Sequence, residues 1–257
     1  MQTQIRGRIM REPKMAGAFY PANKEELSNQ LKLLFKKAET KSSPNVKAII
    51  VPHAGYIYSG IVAATGYKLI DKKFKKIIIM GPSHQVPIEG GAYDINKHWK
   101  TPLGNIELFK LNNTGIEEHP IAHEFEHSLE VQVPFLQQTL SDFKICPITL
   151  GSFPKNLPEE IINSLDEETF IVVSSDLSHY LPYDVAVEKD KKTIKRILSG
   201  EKIHPYDACG ADCINVLEEV AKKKKWTPKL IDYKNSGDTA GSPFQVVGYA
   251  CIAYEEK

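Results

Sequence analysis

Three histidines in this chain stand just past apolar, β-branched runs. Ile49-Ile50-Val51-Pro52 leads to His53. Ile77-Ile78-Ile79-Met80 leads through Gly81-Pro82-Ser83 to His84, and Phe170-Ile171-Val172-Val173 leads through Ser174-Ser175-Asp176-Leu177-Ser178 to His179. Such runs read as buried strands, and parallel strands bring their carboxyl ends to one edge, where open α/β sheets form ligand crevices. Three imidazoles on one edge could converge. Imidazole is the commonest transition-metal ligand, and two histidines with an anionic third ligand and open positions suit Fe(II). Asp176, three residues before His179, is spaced to orient that imidazole or to stabilise its charged form. The competing reading is three unrelated polar caps.

Two other groups carry chemistry. His123-Glu124-Phe125-Glu126-His127 matches the pattern of zinc peptidases, in which two histidines one helical turn apart bind zinc and the glutamate serves as base. The longer form of that pattern fails, because Ser128-Leu129-Glu130-Val131 has no glycine and no third histidine follows. The next acidic pair, Glu159-Glu160, follows a Pro-rich turn, so a polar helix start is the better reading. Cys209 precedes Gly210 near the start of a predicted helix, where the dipole would lower a thiol pKa. By position alone it reads first as a small buried apolar residue, and Cys213 and Cys251 read as core.

The elements that would position these groups follow from periodicity. Leu27, Leu31, Leu34 and Phe35 mark an amphipathic helix with Asn23 as its N-cap. Ile61 to Ile70 reads as a helix after the Gly55–Gly60 turn, and its Lys-rich end, like Lys222 to Lys225, as a solvated helix C-terminus. Ala92 to Ile95 and the stretch from His98 read as strands, and Ile106 to Leu111 as a strand or short helix. Pro120 to Leu140 reads as one helix that Pro134 kinks or divides. Ile145 to Leu150 is a strand, Leu157 to Leu165, Tyr183 to Leu198 and Tyr206 to Lys222 are helices, and Leu230 to Tyr233 with Val246 to Tyr254 form an antiparallel pair. Met15 to Pro21 reads as an ordered segment packed on the domain, and Lys41 to Asn45 as a surface loop.

A chain of 257 residues, 42% hydrophobic, with a formal net charge of +1, has ample core material and no bulk charge aimed at nucleic acid or membrane. The polar stretch from Met1 to Arg11 lacks the apolar run of a signal peptide, and no segment reaches the roughly 20 apolar residues of a membrane span. Four cysteines without a CxxC pair fit a reducing compartment. With no internal repeat or linker, the expectation is a cytoplasmic protein of one domain over residues 1–257.

Several of these stretches together resemble the Memo (mediator of cell motility) family. They are Val51-Pro52-His53-Ala54-Gly55-Tyr56-Ile57-Tyr58-Ser59-Gly60, Ala18-Phe19-Tyr20-Pro21, Gly81-Pro82-Ser83-His84, Trp99-Lys100-Thr101-Pro102-Leu103-Gly104, Glu126-His127-Ser128-Leu129-Glu130, Ser175-Asp176-Leu177-Ser178-His179 and Cys209-Gly210. The family is similar in fold to class III, LigB-type extradiol dioxygenases. The resemblance therefore implies a three-layer α/β/α domain around a mixed sheet. It implies His53 and His84 as metal ligands, His179 as the acid/base histidine with Asp176 beside it, and Glu126, His127 and Tyr56 lining the same cleft. The dioxygenases complete their metal site with a glutamate, where this pattern has Cys209. A thiolate is softer and more oxidisable, which argues against ring cleavage and leaves Fe(II), copper or no metal as the expectations. Family members are described as iron- or copper-binding redox proteins and as adaptors that recognise phosphotyrosine peptides. Prokaryotic ones are grouped with an AMMECR-type and a radical SAM protein. Two expectations follow: a metal-dependent redox protein acting on an unknown small molecule or peptide, and a non-catalytic module holding a phosphopeptide or small anion.

Overall fold

The computed structural model describes residues 9–40 and 45–256. The expectations for Met1 to Arg8 and for Lys41 to Pro44 lie outside the described residues. The chain enters through β1 (Met10–Arg11) and α1 (Lys24–Lys37), then β2 (Val46–Val51), α2 (Tyr56–Tyr67) and β3 (Lys76–Pro82). Next come the strands β4 (Gly91–Tyr93), β5 (His98–Thr101), β6 (Gly104–Leu108) and β7 (Glu117–Glu118). The short helices α3 (His127–Glu130) and α4 (Val133–Thr139) lead to β8 (Lys144–Leu150), α5 (Leu157–Ser164) and β9 (Thr169–Ser174). The chain closes with α6 (Tyr183–Leu198), α7 (Ala211–Lys224), β10 (Thr227–Asn235) and β11 (Gly248–Glu255).

One mixed sheet runs β1-β5-β6-β8-β3-β9-β2-β11-β10, with β4 and β7 branching from β8. At its centre β8, β3, β9 and β2 are parallel, while β11 and β10 close one side antiparallel. Because side chains alternate along a strand, each central strand feeds two cores. Ile49, Val51, Ile77, Ile79, Phe170 and Val172 face the layer of α1, α2 and α4. Ile50, Ile78, Met80, Cys146, Ile171 and Val173 face that of α5, α6 and α7. The result is three layers, α/β/α. None of the helices among the described residues is long and apolar enough to cross a membrane.

Local chemistry explains where the elements start. Asn23 Oδ1 accepts from the Glu25 and Glu26 amides at 2.8 and 3.2 Å and caps α1, as its residue type predicts. Helix α2 begins at Tyr56 rather than Ile61, because Gly55 O already accepts from the Tyr58 and Ser59 amides. It ends at Tyr67, where Leu69 and Ile70 donate to carbonyls three residues back. The single helix expected over Pro120 to Leu140 is corrected to α3 and α4. Residues 120–126 are not helical because the Arg11 guanidinium occupies the carbonyls of His123, Glu124 and Glu126 that helix amides would use. Glu126 then caps α3 through the Ser128 amide, and Pro134 sits in the first turn of α4, where its missing N–H costs nothing. Helix α7 starts at Ala211, five residues later than expected, after a turn over Tyr206 to Gly210.

On the far side of α7, Glu218 accepts from the Tyr254 hydroxyl of β11. Burial pushes its carboxyl up from 4.5 to about 7, against the hydrogen bond from Tyr254, which favours the anion. The unfolded chain releases this proton near 4.5 and the folded chain holds it to about 7. The contribution of Glu218 to stability is therefore full below 4.5 and is lost as pH rises through that window. Glu218→Gln removes this slope. Thermal melts across the window should show the wild-type midpoint falling by a few degrees relative to the variant's as pH rises.

Candidate metal centre

The site forms where β2, β3 and β9 end. His53, the second residue past β2, is buried. Its Nδ1 lies 2.9 Å from the hydroxyl of Ser174, the last residue of β9. That hydroxyl has one proton, and it is directed at Ser128 O at 2.6 Å. Ser174 Oγ also accepts from Gln132 Nε2 at 2.7 Å. It can therefore only accept from the ring, so His53 carries its proton on Nδ1 and presents a bare Nε2. Gln132 is itself oriented: it donates to Pro52 O and accepts from the buried Tyr67 hydroxyl. Burial, then the neighbouring His127, His84 and His179, hold the His53 imidazole well below its ordinary pKa, so the ring is neutral.

His84 follows β3, whose Gly81 lets α3 come close; a Cβ there would lie 2.7 Å from Ser128 Oγ. Glu126, buried behind the ring, accepts from the His84 amide at 2.6 Å and from His84 Nδ1 at 2.9 Å. Burial would raise the Glu126 carboxyl, but His84 and the backbone amides of Ser128 and His84 outweigh it and hold it near 2. A carboxylate accepts only, so His84 too carries a proton on Nδ1, and Nε2 is the ring nitrogen left without this partner. The same oxygen lies 3.4 Å from His127 Nδ1, and the His127 ring stacks on His84 with centroids 4.6 Å apart. Glu126 thus acts behind two imidazoles rather than on the cleft wall.

His179 repeats the pattern by another route: its Nδ1 faces Leu177 O at 2.9 Å, leaving Nε2 bare. Asp176 does not partner His179, as its spacing predicted. Its Oδ1 accepts from the His53 amide at 2.9 Å, and Oδ2 lies 3.9 Å from His53 Nε2. Burial raises this carboxyl to about 7. Cys209 lies just ahead of α7, its Sγ 3.3 Å from His53 Nε2 and 3.2 Å from the Asp176 amide. The thiol is pushed up, not down: burial and the Asp176 charge outweigh the helix start that was expected to lower it. One donor atom each from His53, His84 and Cys209 lies within 4.8 Å of the others.

The whole cleft, these histidines included, encloses about 690 Å³. Its outer walls are Phe19, Tyr58, Tyr180 and Tyr249 with the 241–247 loop, and among the described residues neither lysine nor arginine lines it. Sequence reasoning passed over these walls, since Phe19 and Tyr180 lie outside helices and strands, where no period marks them, and Tyr58 and Tyr249 read as ordinary members of α2 and β11. Tyr56 is not on the wall; it is buried against Tyr20 and Phe135, and its hydroxyl donates to Val131 O. His123 is not a ligand beside His127. It is buried with Nε2 on Ala92 O, and the two are not on one helix.

A buried ion pair ties the wall together. Arg11 Nη1 meets Glu130 Oε2 at 2.5 Å, while the guanidinium lies over the Trp99 ring. Glu130 also accepts from the Lys14 and Met15 amides and the Tyr20 hydroxyl. This joins the segment carrying Phe19 to the one carrying Glu126 and His127.

A three-layer α/β/α protein with imidazoles and a thiol gathered at the carboxyl edge of its parallel strands is the class that fold and site define. The chain belongs to the Memo family: the model of the Memo-like protein family matches residues 11–253. It is similar to a MEMO1 family protein of Caldivirga maquilingensis, 37% identical over 96% of this chain and 99% of that one. It is also similar to one of Aquifex aeolicus, 39% identical over 93% and 97% of the two chains. A solved structure of an uncharacterized Escherichia coli K12 protein overlaps 81% of this chain and 99% of its own, at 11% identity and a TM-score of 0.45. The fold is read from the sheet order itself.

Arg11→Met leaves Glu130 buried without its counter-charge and should cost about 3–5 kcal/mol in urea unfolding. The double variant Arg11→Met/Glu130→Leu should lose clearly less than the sum of the two single losses. Additive losses would mean that the pair is not coupled.

Proposed function

We propose that this cleft binds one redox-active transition-metal ion, iron or copper, on His53 Nε2, His84 Nε2 and Cys209 Sγ. On this reading the protein is a metal-dependent redox protein. The observation that carries it is the proton arrangement: Ser174 holds the proton of His53 on Nδ1 and Glu126 does the same for His84. The His53 Nε2 lone pair is thereby free beside the Cys209 sulfur, and a ring nitrogen of His84 lies within 4.8 Å of both. Metal-binding histidines characteristically donate their other ring N–H to an oxygen acceptor in this way. The donor set also fits: two imidazoles and a thiol suit iron or copper better than a hard cation such as magnesium. Bound there, the ion would supply electron transfer and Lewis acidity next to the cleft.

The remaining residues would handle protons and position. Burial lowers the His179 pKa, so its bare Nε2 is available to accept a proton from a molecule in the cleft. Asp176 holds the His53 backbone, and its Oδ2 lies 3.9 Å from His53 Nε2 on the cleft wall. The alternative reading, a non-catalytic phosphopeptide or anion module, lacks a cation. No lysine or arginine lines the cleft among the described residues, and burial holds His53, His127 and His179 neutral.

Anaerobic reconstitution with Fe(II) or copper, followed by elemental analysis, tests the reading. Wild type should retain about one equivalent, and His53→Ala/His84→Ala should retain almost none. Equal retention by both would sink the proposal. Ser174→Ala, which removes only the hydroxyl behind His53, should weaken binding by about 10–100-fold in a competition titration.

A further inference from the structure

His179 and Tyr180 leave the backbone at an irregularity. On one side of them, Leu177 N donates to Gly248 O at 2.8 Å and Gly248 N donates to Ser178 O at 2.9 Å. On the other side, Val246 N donates to Leu181 O at 2.8 Å. Two residues, His179 and Tyr180, therefore stand opposite one, Val247. Outside any strand, and closed by the isolated bridge of Leu181 with Val246, this two-against-one step has the form of a β-bulge, the device that re-aims side chains beside a site. Tyr180 takes φ of 56°, a left-handed conformation costly for a bulky residue, and the residue is 70% exposed on the cleft wall. A strained bulge needs something to hold it.

The holder is Asp190, a fully buried carboxyl on α6. Its Oδ1 accepts from the Ser178 amide at 2.9 Å, at the first rung of the bulge. Its Oδ2 accepts from the Tyr233 hydroxyl of β10 at 2.9 Å. The carboxyl fits only because residue 248 is glycine: a Cβ there would overlap Oδ2. Two elements and the bulge thus meet on one side chain that does not itself reach the cleft. Leu177, whose carbonyl fixes the His179 tautomer, is the residue just before the anchored amide.

We propose that Asp190 is a positioning residue for His179: by anchoring the Ser178 amide it holds the bulge that points His179 into the cleft with Nδ1 on Leu177 O. This rests on the reading of His179 as the proton-transfer group, but its test needs neither metal nor substrate. Protein labelled with ¹⁵N-histidine reports, near neutral pH, which ring nitrogen carries the proton. In the wild type His179 should give the signal of a fixed Nδ1–H tautomer. In Asp190→Ala its two ring signals should move toward each other as the tautomers mix, while those of His53 and His84 stay in place. Asp190→Asn keeps an acceptor oxygen for Ser178 and should restore the wild-type pattern. A folded Asp190→Ala protein with an unchanged His179 signal would overturn the proposal. Should that variant not fold, amide exchange in the wild type decides. The Ser178 amide should be protected at least tenfold more than that of Tyr180, and equal exchange of the two overturns it. Loss of metal binding by the wild type would defeat the proposed function and leave this assignment standing.

Discussion

The hydroxyl of Ser174 has one proton and three polar neighbours, and the arrangement of the site depends on where that proton goes. Directed at Ser128 O, it leaves Oγ as an acceptor for both Gln132 and His53. The orientation is enforced from below, since Tyr67 and Pro52 fix which end of Gln132 faces the serine. Every group in this chain is buried, so any reversal would leave a donor facing a donor out of reach of water, at about 1–3 kcal/mol for each unmade bond. A buried network with one consistent direction can hold a histidine in one tautomer without touching the cleft.

The sheet places this network. Strands β2, β3 and β9 lie side by side and parallel, so their carboxyl ends deliver His53, His84 and the segment leading to His179 to one edge. The acidic groups then sort by depth. Glu126 is held ionised behind two imidazoles, whereas Asp176, with fewer donors, is left near 7 by burial. The two carboxyls differ because Glu126 has an imidazole N–H and two amides facing it, whereas the more deeply buried Asp176 has backbone amides alone.

The parts legible in sequence were those with a local period or a local stop. Strand alternation, the Asn23 cap and the histidines past the strand ends are written in consecutive residues. What escaped depends on long-range pairing. The stretch from Pro120 to Leu140 looks helical until Arg11, more than a hundred residues earlier, takes its carbonyls. Asp176 is spaced to serve His179 but is claimed by the His53 backbone. Cys209 stands at a helix start whose effect on the thiol is smaller than the burial imposed by its neighbours. Ser174 gave no signal of its own, because a serine ending a strand is common and its role lies in what surrounds it.

The Arg11–Glu130 clasp has a consequence for how the cleft comes into being. It joins residues 119 positions apart, and the cleft walls draw on segments from Ala18 to Tyr249. A contact of such long separation closes a long loop and belongs to the non-local pairing that slows folding as a whole. The same closure sets the Phe19 ring against that of His127, with centroids 4.8 Å apart. Occupation of the cleft by any molecule would therefore report on the integrity of nearly the entire chain, and no excised piece of the sheet would reproduce it.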